Sequence, residues 1–291
     1  KVLFCLGGNF LSATPDVREV AEGIRKCQLT VQVSTKLNRS HLITGKKALI
    51  LPCLGRSERD GDQFVTVENS MGIVHSSRGN LEPISQSVRS EPAIIANVAE
   101  AVLGKEGIIW GEYLKDYSKI RESIERTIPG FENFESRITE PGGFYLKNCA
   151  KNRKFAIEGR APFSVHDLEP LKLSKDQLLL MTIRSHDQFN TTIYGINDRY
   201  RGIQGERRVV FLNQKDMEAR GLKPKQPVNL ISHWEGKQRK ANLFLAIPYN
   251  IPKGCAAAYF PETNVLVPLE STAKISNTPT SKSIIITIEA T

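Results

Sequence analysis

The five cysteines, Cys5, Cys27, Cys53, Cys149 and Cys255, stand far apart, and no CxxC occurs. That excludes a zinc ribbon and a complete iron–sulfur motif in these residues. Scattered thiols beside apolar residues read as buried and reduced, the pattern of a cytoplasmic protein. No apolar run approaches the roughly 20 residues of a membrane-spanning helix. The opening KVLFCLGG is no secretory leader, because its apolar part is short and no small-residue cleavage site follows. The chain also lacks an initiator Met and begins inside a strand pattern, as a segment of a longer protein would. His41, His75, His166 and His233 are isolated and no HxxxH occurs, so each reads as a surface or satisfied histidine and no metal is assigned. GxGxxG is absent, which removes the ordinary dinucleotide fingerprint. There is no internal repeat and no concentrated basic tract.

What the chain does have is 291 residues, 40% hydrophobic and 24% charged, with a net charge of +9. The length suits two domains and the composition a soluble globular protein. The positive charge reads either as a solvated basic surface or as a match for a phosphate-bearing partner, a nucleic acid or a cofactor. Nucleic acid ranks last, since no aromatic-interleaved basic surface is visible.

Residues 1–53 read as a β-α-β-loop-β unit. KVLFCLGG is a strand that meets a Gly pair. Thr14-Pro15-Asp16 is a helix start, with a hydroxyl cap, Pro at the first helical position and an acid in the first turn. LTVQVST and KALILPC are two further strands. Their apolarity predicts a parallel sheet covered on both faces, with ligands beyond the carboxyl ends of its strands. Residues 54–90 read as a looser stretch, with GRSERDGDQ and HSSRGN as loops. EPAIIANVAEAVLG predicts a buried helix closed by Gly104, and DYSKIRESIERTI an amphipathic one ended by Pro129-Gly130. Residues 141–176 are linker-like. Beyond them LLLMTIR, RRVVFL, PVNLISH, ANLFLAI, NVLVPL and SIIITIE are short strands, interrupted by one helix, QKDMEARG. That pattern predicts a small β-barrel. The fold class is therefore α/β plus β: a Rossmann-like parallel-sheet domain over residues 1–150, a linker over 151–177 and a barrel over 178–291.

Three groups could carry chemistry. Gly7, Gly8 and Asn9 lie between a strand and a helix, where backbone approaches phosphate; a simple tight turn is the alternative reading. Thr35, Lys36, Asn38 and Arg39, in STKLNRSH, occupy the place where such folds read a nucleoside. Read alone, they are a polar loop. The strongest signal is TIRSHDQFNTT: Arg184 has a fork suited to phosphate, while Ser185, His186, Asn190, Thr191 and Thr192 add short polar groups. Ser185-His186-Asp187 is not a triad, because neighbours on an extended chain point to opposite faces. Arg199, Arg201, Arg207 and Arg208 read mostly as a basic surface loop. YFPETN and SNTPTSK are two more polar turns.

Taken in order, GGNF.SATPD, VSTKLNRSHL, LPCLGRSE, QFVTVENSM, TIRSHDQFNTTIYGINDRYRG, GCAAAYFPETNVLVPL and SNTPTSK resemble the C-terminal half of the formate-dehydrogenase-like molybdopterin oxidoreductases. The resemblance covers nearly the whole chain. It implies an enzyme that holds molybdenum or tungsten between two molybdopterin guanine dinucleotides, with an α/β domain and a double-psi barrel reaching the dinucleotide tails. By the same resemblance, Gly7, Gly8 and Asn9 lie by one tail, and Thr35, Lys36, Asn38 and Arg39 lie by its guanosine. Arg184, Ser185, His186, Asn190 and Thr191 contact pyrophosphate or pterin, and Asn264, Asn277 and Lys282 close over the cleft. The protein ligand to the metal and any iron–sulfur cluster would belong to the N-terminal half of the same chain, so this segment alone would be inactive. The family pattern is longer between GRSERD and GDQF. The electron partner and substrate are not readable. The alternative is a non-enzymatic relative, a binding or stress-response protein.

Overall fold

A computed structural model describes residues 1–104, 107–154, 163–167, 170–191 and 193–291, apart from the side chain of Cys149. They form two compact units: Lys1–Gln32, Leu37–Ile50 and Glu169–Thr291 in the first, Val33–Lys36 and Leu51–Leu168 in the second.

The chain opens with β1 (Val2–Leu6), α1 (Phe10–Ala13), α2 (Val17–Arg25), β2 (Leu29–Ser34) and β3 (Lys47–Pro52), and the strands form a parallel sheet in the order β1-β2-β3. The helix start lies beyond the expected Thr14-Pro15. Asp16 is the N-cap of α2, in left-handed backbone with φ 45°, and its side chain does not cap the helix. It is drawn off instead by Arg239, whose Nε and Nη2 stand 2.7 and 2.6 Å from Asp16 Oδ2. A buried ion pair has outcompeted a local cap. The expectation of a sheet covered on both faces fails among the described residues. Val2, Phe4 and Leu6, which share one face of β1, are exposed, as are Leu49 and Ile50 of β3. Apolarity marks a face to be covered without saying what covers it.

In the second unit GRSERDGDQ carries no helix or strand, as expected, but the first three residues of HSSRGN are in a strand. β4 (Val65–Glu68) and β5 (Ile73–Ser77) form an antiparallel hairpin. Its turn is closed by Asn69, whose Oδ1 accepts from Met71 N at 2.9 Å, and by Gly72 N donating to Asn69 O at 3.0 Å. The helices α3 (Glu91–Leu103), α4 (Trp110–Lys115), α5 (Ser118–Thr127) and α6 (Phe134–Thr139) follow. Gly104, with φ 74°, ends α3 as expected, but α3 is not enclosed: Ile94 and Ala96 are buried while Val98, Val102 and Leu103 are exposed. β6 (Phe144–Tyr145) then pairs with β5. It and α7 (Cys149–Asn152) fall within the stretch read as linker. Residues 155–162 and 168–169 of that stretch lie outside the described residues, and 163–167 and 170–174 carry no helix or strand. Val74, Phe134, Ile138 and Phe144 make the core of this unit.

The barrel is built from β7 (Leu178–Ile183), β8 (Val209–Leu212), β9 (Pro227–Trp234), β10 (Lys237–Pro248), β11 (Cys255–Tyr259) and β12 (Ile284–Ala290), with α8 (Gln214–Ala219) as its one α-helix. It closes in the order β10-β8-β11-β7-β12-β9. β10–β8 and β11–β7 are parallel and the other pairs antiparallel. The period of two is plain. Leu178 and Leu180, Val210 and Leu212, Val228 and Leu230, Ala256 and Ala258, and Ile284 and Ile286 point inward. The register of β10 against β9 shifts between Ala241 and Phe244; pairing with β9 resumes at Phe244 and Leu245, and pairing with β8 runs from Leu245 to Pro248. One sequence expectation fails here, and one strand was not among those expected. NVLVPL is not a strand: Leu266 N donates to Thr263 O and Val267 N to Asn264 O, winding Asn264–Leu266 into a 3-10 turn. CAAAY is a strand, although alanine has low strand propensity. A small closed barrel has room on this strand for little more than a methyl group, and Ala258 is fully buried.

Ala258→Leu is accordingly expected to overpack the barrel and lower stability by about 1–3 kcal/mol, read as a shift of the urea midpoint at constant slope.

Candidate functional site

In the first unit, β1 ends in a turn that only a flexible backbone makes easily. Gly7 and Gly8 have φ 69° and 76°, and a Cβ on Gly8 would meet open space. The turn is stitched to the segment after β2. Asn38 Nδ2 donates to Gly8 O at 2.8 Å, Ser40 Oγ donates to Asn9 Oδ1 at 2.8 Å, and Leu11 N donates to Ser40 Oγ at 2.9 Å. Asn38 also caps the 3-10 turn Arg39–Leu42 through Ser40 N, while its own N–H donates to His41 Nδ1 at 3.0 Å. His41 is therefore satisfied at Nδ1 only: its Nε2 is buried without a partner. Thus Gly8, Asn9, Asn38 and Arg39 come together as one polar cradle. Thr35 and Lys36 belong to the other unit and are exposed.

Beside this cradle lies a cavity of about 510 Å³, lined among others by Arg18, Arg39, Tyr194, Arg207 and Arg208. Arg207 is tied to Glu262 and Lys240 to Glu289. Arg18 and Arg39 have no carboxylate partner among the described residues, which leaves the cavity uncompensated positive charge.

The loop after β7 is held from within by Arg207, which the surface-loop reading of the sequence misplaced. It is 6% exposed. Its Nε donates to Glu262 Oε1 at 2.7 Å, Nη1 to Ser185 Oγ at 2.9 Å, and Nη2 to Phe260 O at 2.8 Å and Gln188 Oε1 at 3.1 Å. Tyr194 and Tyr259 face its guanidinium at 4.3 and 5.0 Å. Ser185 is consequently buried inside the scaffold. Thr191 is buried too, and Thr192 lies outside the described residues. Arg184 stays exposed, its Nη2 donating to Asn190 Oδ1 at 2.6 Å. Lys282 Nζ donates to the Thr182 carbonyl. Burial, and then the nearby Arg184 charge, push the Lys282 ammonium below its ordinary pKa. Two cations thus share the end of β7 with no carboxylate between them. Asn264 is used differently. It is buried, and its Nδ2 donates to Ser12 O at 2.8 Å, clasping α1. Asn277 sits in an exposed turn with φ 53°, its Oδ1 accepting weakly from Thr272 Oγ1 at 3.4 Å.

A third cluster was not foreseen. Asp198 is 2% exposed. Its Oδ2 accepts from Arg201 Nη1 at 2.7 Å and from Tyr259 Oη at 2.8 Å. Burial pushes this carboxyl up, but the hydrogen bonds from Arg201 and Tyr259 outweigh it and hold the group below its ordinary value of 3.8. Burial and the Asp198 carboxylate push the Tyr259 phenol up. His186 Nδ1 lies 3.5 Å from Asp198 Oδ1, and its ring stacks on Tyr200 at 4.0 Å. No group of three or more metal-ligating side chains occurs among the described residues, and no helix there is long and apolar enough to cross a membrane.

Residues 178–285 match the molydopterin dinucleotide binding domain. An uncharacterized oxidoreductase of Mycobacterium tuberculosis is 48% identical over 303 residues, covering 100% of this chain and 39% of that protein. Protein YdeP of Escherichia coli is 40% identical over 300 residues, covering 99% and 40%. The chain therefore spans about two fifths of the length of these curated relatives. In fold it is similar to acetylene hydratase from Pelobacter acetylenicus, with a TM-score of 0.66, 15% identity, and coverage of 100% of this chain and 44% of that one.

Replacing Arg207 with Met is expected to cost about 3–5 kcal/mol, because Glu262 is left buried without its partner; thermal unfolding of the variant measures it. Asp198 sets an acid limit. Its lowered pKa adds stability that is complete above 3.8 and lost as pH falls through the folded value. Asp198→Asn should be less stable at neutral pH and should show a shallower acid limb in a denaturation series from pH 6 to about 2.

Proposed function

We propose that this chain, whose residues 178–285 carry a molydopterin dinucleotide binding domain, is the cofactor-holding part of a molybdenum or tungsten oxidoreductase of the formate dehydrogenase type, with two molybdopterin guanine dinucleotides in the whole protein. On this reading the β1-β2-β3 unit is Rossmann-like and the barrel is of the double-psi type.

The observation that carries the proposal is Arg184 beside Lys282. Two like charges are held near one another at a strand end; burial first, and then the Arg184 charge, lower the Lys282 pKa. A bound polyanion removes the repulsion between them and turns it into affinity. The donor set fits the group. Arg18 and Arg39 line a cavity whose volume of about 510 Å³ lies within the range of roughly 300–1,000 Å³ usual for small-ligand sites. The open side of the Gly7-Gly8 turn admits a phosphate against backbone. When bound, the cofactor supplies two-electron redox at its metal, between its dithiolene sulfurs. The residues of this chain bind and orient it. Arg184, Lys282, Arg18 and Arg39 take phosphate, and Asn9 and Asn38 hold the turn in shape. Asn190 keeps the Arg184 fork aimed.

The test uses full-length protein from its own host. Molybdenum and tungsten are assayed by elemental analysis, and GMP is measured after acid hydrolysis of the same sample. Metal together with GMP is the expected result; neither, in folded and freshly prepared protein, sinks the enzyme reading in favour of a non-enzymatic relative. Arg184→Ala and Lys282→Ala should each reduce retained GMP by about tenfold or more while leaving the unfolding temperature nearly unchanged. Normal retention in both would place the site elsewhere. The segment of 291 residues alone should show no formate turnover.

A further inference from the structure

We infer that Asp198 is a positioning residue for His186: it holds an imidazole proton on Nδ1, which leaves Nε2 as the ring position that meets the bound ligand, as a hydrogen-bond acceptor for a ring N–H and not for its phosphates. The ligand's identity rests on the cofactor reading above; the tautomer does not.

The argument starts from an accounting of hydrogen bonds. Asp198 Oδ2 is satisfied twice, by Arg201 and by Tyr259. Oδ1 is buried and closes no hydrogen bond within normal geometry, although the His186 backbone N–H also approaches the carboxylate. An unpaired carboxylate oxygen away from water is costly, and the cost is relieved by any donor within reach. His186 Nδ1, at 3.5 Å, stands where such a donor would be. The ring cannot readily turn away, because it stacks on Tyr200 at 4.0 Å with an interplanar angle of 28°.

A competing arrangement is visible in the same geometry. Arg201 Nη1 lies 3.4 Å from His186 Nδ1, and a guanidinium only donates. Were that contact the real one, Nδ1 would be bare and the proton would sit on Nε2. Two facts decide against it. Arg201 Nη1 has two hydrogens, and two acceptors already take them: Asp198 Oδ2 at 2.7 Å and the Arg184 carbonyl at 3.3 Å. A bare Nδ1 would also set its lone pair against the lone pairs of Asp198 Oδ1. Protonation on Nδ1 removes both problems at once.

The consequence concerns the ligand. His186 is 46% exposed at its side chain and lines a cavity of about 440 Å³ together with Asp187, Asn197, Asp198, Arg199 and Tyr200. A pyrophosphate offers only acceptor oxygens and negative charge, which an imidazole lone pair repels. Pterin and guanine rings carry N–H donors, which it attracts. His186 therefore reads the heterocycle, leaving phosphate to Arg184 and Lys282.

Full-length protein labelled with 15N-histidine and sedimented for magic-angle-spinning NMR gives the His186 ring by difference against His186→Gln. The expected spectrum has a protonated Nδ1 and a bare Nε2, and Asp198→Asn should shift the ring toward the other tautomer. A wild-type ring protonated on Nε2, neutral or cationic, overturns the positioning role, as does a tautomer indifferent to Asp198→Asn. The ligand half is read from GMP retained per protein. His186→Gln, whose amide oxygen can accept near the Nε2 position, should hold to within about twofold, and His186→Met should fall by about tenfold. Equal retention in wild type and both variants overturns the acceptor role. Wild-type protein free of GMP overturns the cofactor reading and the ligand assignment with it, while the NMR result decides the tautomer separately.

Discussion

The Arg207 guanidinium, buried between two tyrosine rings and closed by Glu262, is the constraint on which the polar loop after β7 depends. A buried guanidinium must spend its hydrogens on nearby acceptors or be expelled. It takes Ser185, Gln188 and the carbonyl of Phe260, and so fixes both the loop and the turn that follows β11. Arg184 is held at the surface by that framework, one residue before Ser185. The exposed cation has a defined place because its neighbour is pinned from inside.

Charge in the first unit thus separates by burial. Inside, cations are matched: Arg207 with Glu262, Arg201 with Asp198, Arg239 with Asp16. At the surface of the cradle and at the end of β7, Arg18, Arg39, Arg184 and Lys282 have no carboxylate of their own. Matched pairs give shape, since breaking one strands a buried charge. Unmatched cations at a surface are free to meet an anion, which is the role proposed for these four. The same logic extends to a single buried oxygen in Asp198, whose want of a donor orients the exposed His186 ring.

Much of this was legible in the chain. Period-two apolar runs identify β7, β9 and β12, and Gly104 and Pro129 mark the ends of α3 and α5. The run around Arg184 and the turn carrying Lys282 stand out as polar punctuation, and the structure brings those two residues together. Other features left no local mark. The hairpin of β4 and β5 has short strands and a turn lacking an Asn-Gly pair. β11 is a run of alanines, chosen by the narrowness of the barrel and not by propensity. Arg207 looked like one more arginine in a basic loop, because its partner Glu262 is 55 residues away.

What the sequence by itself determined is the materials of the fold: alternating apolar residues for a barrel, a glycine turn after the first strand, and an excess of +9 in charge that suits a phosphate-bearing partner without requiring one. Only the tertiary structure decided which charges are used up. Arg184 and Arg207 carry the same group, yet one is neutralised by a carboxylate and the other is not. Asp198 becomes a brace because Tyr259, 61 residues on, closes over one of its oxygens and leaves the other facing His186. Desolvation and pairing depend on distances through space between residues far apart in sequence, and those distances exist only once the barrel has closed.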